Sequence, residues 1–87
     1  MRFVQHRTFE RQYKKLSDVL RDKIWERLAL LLKEESNPLL SDHKLNPPWD
    51  GYRSINISGD YRLIYRELDE GVFYLRAVGT HHQLFGT

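Results

Sequence analysis

The stretch Ser54-Ile55-Asn56-Ile57-Ser58-Gly59-Asp60-Tyr61-Arg62-Leu63-Ile64-Tyr65-Arg66-Glu67 decides the fold. Ile55 and Ile57 alternate with Ser54 and Asn56, which is the two-residue period of a strand with one buried face. This strand is placed over Tyr52–Ser58, and Ser58-Gly59-Asp60 reads as a turn. Beyond it a second strand runs from Tyr61 to Glu67. Tyr61, Leu63 and Tyr65 share one of its faces, and Arg62, Ile64 and Arg66 share the other. Leu68-Asp69-Glu70-Gly71 is a second turn signal, followed by a third strand from Val72 to Val78. Three consecutive strands with short turns form an antiparallel meander.

Upstream of the meander the period changes. Leu20, Ile24, Leu28, Leu31 and Leu32 recur at helical spacing, flanked by Val19 and Trp25. Ser17 is an N-cap for this helix, and Asp18 places negative charge in its first turn. Ser36-Asn37-Pro38 ends it near Glu35. A shorter helix is expected to start at Thr8 as N-cap and to run to about Lys15. Two helices joined this tightly pack as a hairpin. Residues 2–6 alternate enough for a short opening strand, and Asn37–Gly51, rich in Pro, Asn and Asp, reads as loop. The order β-α-α-β-β-β segregates helices from strands. It predicts an α+β fold, an antiparallel meander with the helical hairpin packed on one sheet face.

The 87 residues, 40% apolar and 30% charged, fit one soluble globular domain spanning residues 1–87 with a thin core. No apolar run reaches the roughly 20 residues of a membrane span, and Met1–His6 lacks the apolar stretch of a signal peptide. With no cysteine there is no disulfide framework and no thiolate metal site, which suits a reducing cytosol, so a cytoplasmic location is expected. Residues 1–35 carry nine Lys/Arg against six Asp/Glu, and residues 36–87 carry five against six. The basic half suits phosphate or an acidic partner, and equally a solvated helix face.

Residues able to do chemistry gather in the second half. Two arginines on one strand face, Arg62 and Arg66, cannot both be buried unpaired. That face therefore meets solvent, an anionic ligand, or cross-strand acids such as Asp60 and Glu67. The guanidinium fork suits phosphate. Histidine titrates nearest neutrality, and His43 and His81 are expected at loop positions that a sheet can bring together. Such a pair supplies the base and the acid that RNA cleavage by its own 2′-hydroxyl needs, with cations to hold the developing charge. The four histidines lack metal-ligand spacing, and neither metal nor cofactor is expected. Trp49, Tyr61 and Phe85 suit stacking on unpaired bases. No phosphate-binding glycine loop, cysteine nucleophile or serine elbow is present.

Three blocks carry a family resemblance. They are Asp42-His43-Lys44-Leu45 with Trp49-Asp50-Gly51-Tyr52-Arg53; Gly59-Asp60-Tyr61-Arg62-Leu63-Ile64-Tyr65; and Val78-Gly79-Thr80-His81 with Leu84-Phe85-Gly86. In these the chain resembles the RelE superfamily of toxins from bacterial toxin–antitoxin pairs, and most closely its YafQ-like branch. The resemblance implies a RelE-like fold, an antitoxin partner, and metal-independent cleavage of mRNA in the ribosomal A site. It implies catalytic or phosphate-contacting roles for His43 and His81, an acidic role for Asp60 and an aromatic role for Phe85. Lys44, Arg53, Tyr61, Arg62 and Arg76 are the implied RNA and phosphate contacts. Two positions depart from the branch. Asn56 stands where it has a histidine, and Ala77 where it has an arginine, with Arg76 adjacent; a one-residue shift reverses a strand face. Two other readings share the fold: a ParE-type gyrase poison, which leaves His43 and His81 without a task, and an inactive binding module, which Asn56 and Ala77 favour.

Overall fold

A computed structural model describes residues 2–86. Strand β1 (Arg2–Gln5) leads into helices α1 (Arg7–Lys14) and α2 (Asp18–Lys33). There follow a two-residue strand β2 (His43–Lys44), the meander β3 (Arg53–Ser58), β4 (Tyr61–Asp69) and β5 (Val72–Thr80), and a short helix α3 (His81–Phe85). The five strands form one sheet in the order β1-β5-β4-β3-β2. The meander is antiparallel as its alternation dictates. β1, however, lies parallel to β5, with Arg2 opposite Val72 and Gln5 opposite Leu75, so the sheet is mixed.

The helices follow from their caps. Ser17 caps α2, its hydroxyl accepting from the Leu20 amide at 3.2 Å. The cap of α1 is His6 rather than Thr8: His6 Nδ1 accepts from the Thr8 amide at 3.0 Å, a task any short acceptor side chain performs at a helix start. Arg21 closes the hairpin by donating to the carbonyls of Tyr13 (3.2 Å) and Lys14 (2.6 Å) at the open end of α1. α2 ends at Lys33, one turn before the Asn-Pro breaker.

Phe9, Ile24, Leu28 and Leu31 from the hairpin meet Ile55, Ile57, Leu63, Tyr65, Leu75 and Val78 from the sheet, and Leu40 joins them from the loop. Leu20 and Leu32, at the margins of the helical stripe, are half-buried, and Val19 is exposed. β1 stops opposite Leu75, which leaves the Val78 amide without a strand partner; Gln12 of α1 accepts from it at 2.8 Å. Among the described residues no helix is long and apolar enough to cross a membrane.

Candidate active site

The site begins where the chain leaves α2. Asn37 turns it: its side chain accepts from the Leu39 amide (2.9 Å) and its carbonyl from the Leu40 amide (3.0 Å). Leu40 is fully buried, and its carbonyl accepts from the Asn56 amide at 2.6 Å, which fastens the loop to β3. The next residue, Ser41, is held at φ +46°, a conformation that costs a non-glycine residue roughly 1–3 kcal/mol. Its carbonyl accepts from Arg62 Nη2 at 2.9 Å and lies 3.0 Å from His43 Nδ1. These two contacts offset the strain and aim the following residues.

Asp42, which sequence reading did not assign to the site, is the best-enclosed carboxylate in this region, its side chain 4% exposed. It accepts from the Tyr65 hydroxyl at 2.8 Å and pairs with Arg53 Nε at 3.1 Å. Glu35 lies 3.7 Å from the same guanidinium. A hydrogen bond with Asp42, together with burial, raises the Glu35 pKa. Burial, reinforced by Asp42, lifts the Tyr65 phenol far above its usual range, so it acts as a fixed donor. Arg53, expected as an RNA contact, is thus held by two acids of this network. Asp42 directly precedes His43 in the first quoted block, but nothing local to it points to Arg53 or Tyr65 as its partners.

Arg62 is different. Its Nε donates to Ser54 Oγ (2.5 Å), and Nη2 donates to the carbonyls of Ser41 and Ser54 (2.9 and 3.0 Å). Among the described residues no carboxylate lies within ion-pair distance of Arg62, Arg66 or Arg76, so the cross-strand pairing with Asp60 or Glu67 is not formed. Burial lowers the Arg62 pKa, and the more distant Asp42 opposes that shift. The result is a positive charge fixed by neutral oxygens, with Nη2 3.4 Å from His43 Nδ1.

His43 is not in an open loop as expected. It opens the edge strand β2, opposite Ser54, a strand too short for periodicity to show. The Ser41 carbonyl can only accept, which favours the tautomer carrying its proton on Nδ1 and leaves the Nε2 lone pair free to take a proton.

His81 is likewise not in a loop but is the first residue of α3. Thr80 caps that helix: its hydroxyl accepts from the Gln83 amide (3.1 Å) while Gln83 Oε1 accepts from the Thr80 amide (2.9 Å), a reciprocal capping box. Gly79 admits this arrangement, because a Cβ there would stand 2.8 Å from Gln83 Oε1. The far end is closed by Gly86 at φ +74°, where glycine is at ease. One turn of helix stacks His81 against Phe85, ring centroids 4.8 Å apart. Asp60 holds the entry to α3 through its carbonyl, which accepts from the His81 amide at 2.9 Å; its own side chain is exposed and does not line the cavity described next.

His43 and Lys44 of β2, Trp49 of the next loop, and His81, Leu84 and Phe85 of α3 line one cavity of about 360 Å³. The two histidines and the aromatic singled out from sequence are therefore brought to one place. Tyr61 is not: it is half-buried and packs against the hydrophobic core. Arg76 reaches the cavity wall through a β-bulge. Tyr65 pairs with Leu75 and Ile64 with Ala77, so Arg76 is the extra residue between them. Its guanidinium sits 5.6 Å from the Trp49 ring centroid and 3.3 Å from His6 Nδ1. The expected face reversal at Ala77 is thus absorbed by the bulge. Asn56 lies on β3 opposite Arg62 and is not part of the cavity lining. Among the described residues, no group of three His, Cys, Asp or Glu side chains could hold a metal ion.

The sequence profile of the family described as "Bacterial toxin of type II toxin-antitoxin system, YafQ" matches residues 1–86. The chain belongs to the YafQ toxin family. Relatives named mRNA interferase toxin YafQ from Escherichia coli strains B / BL21-DE3 and K12 are each 39% identical over 62 residues. That match covers 68% of this chain and 66% of the relative, just under two thirds of the relative's length. The YafQ crystal structure from E. coli strain BL21(DE3) superposes with a TM-score of 0.72 at 27% identity, covering 97% of both chains. The E. coli DinJ-YafQ complex gives 0.69 at 28% identity, again over 97% of both. The α+β fold anticipated from the β-α-α-β-β-β order is thus the YafQ fold, with β2 and α3 completing its cavity.

Proposed function

We propose that this chain is the toxin of a type II toxin–antitoxin pair, an endoribonuclease that cuts mRNA at the codon in the ribosomal A site. The observation that carries the reading is the shared cavity of His43, Lys44, His81 and Phe85, with Arg62, held by neutral oxygens, beside His43. The mRNA interferase name of the E. coli relatives and the antitoxin in the DinJ-YafQ complex support it.

Cleavage proceeds by attack of the RNA's own 2′-oxygen on the adjacent phosphorus, without metal. His43 Nε2 takes the 2′-hydroxyl proton. The new P–O2′ bond forms as the P–O5′ bond breaks, and protonated His81 gives its proton to the departing 5′-oxygen. The products are a 2′,3′-cyclic phosphate and a 5′-hydroxyl, with no net proton gained or lost. Lys44 and Arg62 stabilise the charge that develops on the phosphorane oxygens, and positioned cations at such a centre contribute strongly to rate. Arg76 takes a neighbouring phosphate, Phe85 holds the His81 ring, and Asp60 anchors the His81 amide through its carbonyl, its carboxylate standing outside the cavity lining. The antitoxin inhibits by covering this face. A gyrase-poison activity has no structural feature of its own to support it.

The deciding experiment is primer extension on a reporter mRNA in reconstituted translation, with ribosomes present or omitted. Cuts in register with the reading frame and only with ribosomes are expected. Intact mRNA in the presence of folded protein would refute the reading.

A further inference from the structure

The sheet face turned away from α1 and α2 carries a second feature next to the cavity. Across β4 and β5, Arg62 lies opposite Gly79, Ile64 opposite Ala77 and Arg66 opposite Tyr74, so no carboxylate stands at these positions. The loop of residues 45–52 folds over this face and brings two rings to two arginines. Arg76 Cζ lies 5.6 Å from the Trp49 ring centroid, and Arg66 Cζ lies 5.5 Å from that of Tyr52. Trp49 and Tyr52 meet edge to face, with centroids 5.8 Å apart and planes at 87°. The four side chains therefore form one row, Arg76-Trp49-Tyr52-Arg66, which starts at the cavity wall where Trp49 stands. Among the described residues neither arginine has an ion-pair partner, and Asp50, between the two rings in sequence, is exposed and pairs with neither.

Exposed cation–π pairs stabilise a fold only weakly. What the row presents is two adjacent rings flanked at each end by a positive charge. Single-stranded RNA offers the complement, consecutive unpaired bases bordered by phosphates, and sequence-tolerant grooves for it combine aromatic rings with positive charge. A base-paired duplex keeps its base faces stacked inside and offers the rings nothing to stack on. We infer that this row is a track for the single-stranded RNA flanking the nucleotide held in the cavity. Trp49 and Tyr52 stack bases, and Arg76 and Arg66 take phosphates. The inference rests on the ribonuclease reading and extends it: the row fixes how many nucleotides are gripped, while the histidines break the bond.

The test uses the whole protein with Arg66→Gln and Tyr52→Leu, neither of which lines the cavity that holds His43 and His81. A fluorescent single-stranded RNA of about twelve nucleotides is titrated by anisotropy, with a trinucleotide as the short probe. Each substitution is expected to weaken the longer RNA about tenfold and to leave the trinucleotide unchanged. Arg66→Gln should also make the slope of log affinity against log salt shallower by about 0.7. Thermal melts identify any variant that fails to fold, and Arg66→Lys, which keeps the charge, should recover part of the loss.

Wild-type affinity for both RNAs in folded variants overturns the track. If wild type cuts mRNA on ribosomes while the variants bind the longer RNA normally, only the track fails. If wild type neither binds nor cuts, the ribonuclease reading fails with it. Variants that keep RNA affinity but lose the antitoxin would assign this face to the protein partner instead.

Discussion

At Ser41 a non-glycine residue sits at φ +46°, and the carbonyl it turns is met by both Arg62 and His43. Backbone strain is thus coupled to imidazole tautomer, and the two histidines receive unlike surroundings: His43 beside a fixed cation, His81 stacked on Phe85. His81→Ala and His43→Gln are each expected to lower ribosome-dependent cleavage by about 10²- to 10⁴-fold with little change in melting temperature, since both side chains are exposed. Single-turnover cleavage and calorimetry check this. Asp60→Asn keeps the carbonyl bond to the His81 amide and removes only the charge. A fall in kcat at unchanged KM would locate the role of Asp60 in its carboxylate, and unchanged kinetics would confine it to the main chain. His43, His81 and Phe85 could be singled out from sequence because residue type and block spacing mark them. The Asp42–Tyr65–Arg53 network could not, because its members come from three separate segments and only the fold brings them into contact.

Among the elements, β3 to β5 were legible because Ile55/Ile57 and Leu63/Tyr65 repeat over enough residues to show their period. β2 has two residues and α3 has five, too few for any period, and these are the elements that carry His43 and His81. The readable trace of α3 was its capping box, Thr80 three residues before Gln83, followed by Gly86. Nor does composition announce the bulge at Arg76, where strand alternation alone points the side chain to the wrong face. Because α3 buries no residue, its geometry depends on its caps. Thr80→Ala removes the acceptor of the Gln83 amide, a loss of about 1 kcal/mol. Cleavage is expected to fall about fivefold while global unfolding barely moves, as paired activity and denaturant curves would show.

For the whole molecule, stability rests on the single interface between hairpin and sheet. Leu28→Ala, at 1% exposure, should cost about 2–5 kcal/mol, which in a domain this small lowers Tm by roughly 10–30 °C. His6 adds a pH dependence. It caps α1 through Nδ1, and burial followed by the charges of Arg76, Arg7 and Arg11 lowers its pKa below the ordinary 6.5. The folded state therefore resists protonation more than the unfolded chain does. The contribution is complete above pH 6.5 and is lost as pH falls through the depressed value. His6→Asn retains a cap without a titrating ring, so wild type should lose melting temperature on acidification more steeply than this variant. The parallel pairing of β1 with β5 has a further consequence for how the protein comes into being. Arg2 must wait for Val72 before its strand has a partner, and α3 follows later still. Chains emerge N-terminus first at about 5–20 residues per second, so β1 and the hairpin spend several seconds without the sheet that covers them. Contacts this distant in sequence also form slowly. A nascent chain therefore has no cavity until α3 has emerged, and anything that recognises this face can meet it only as the sheet closes.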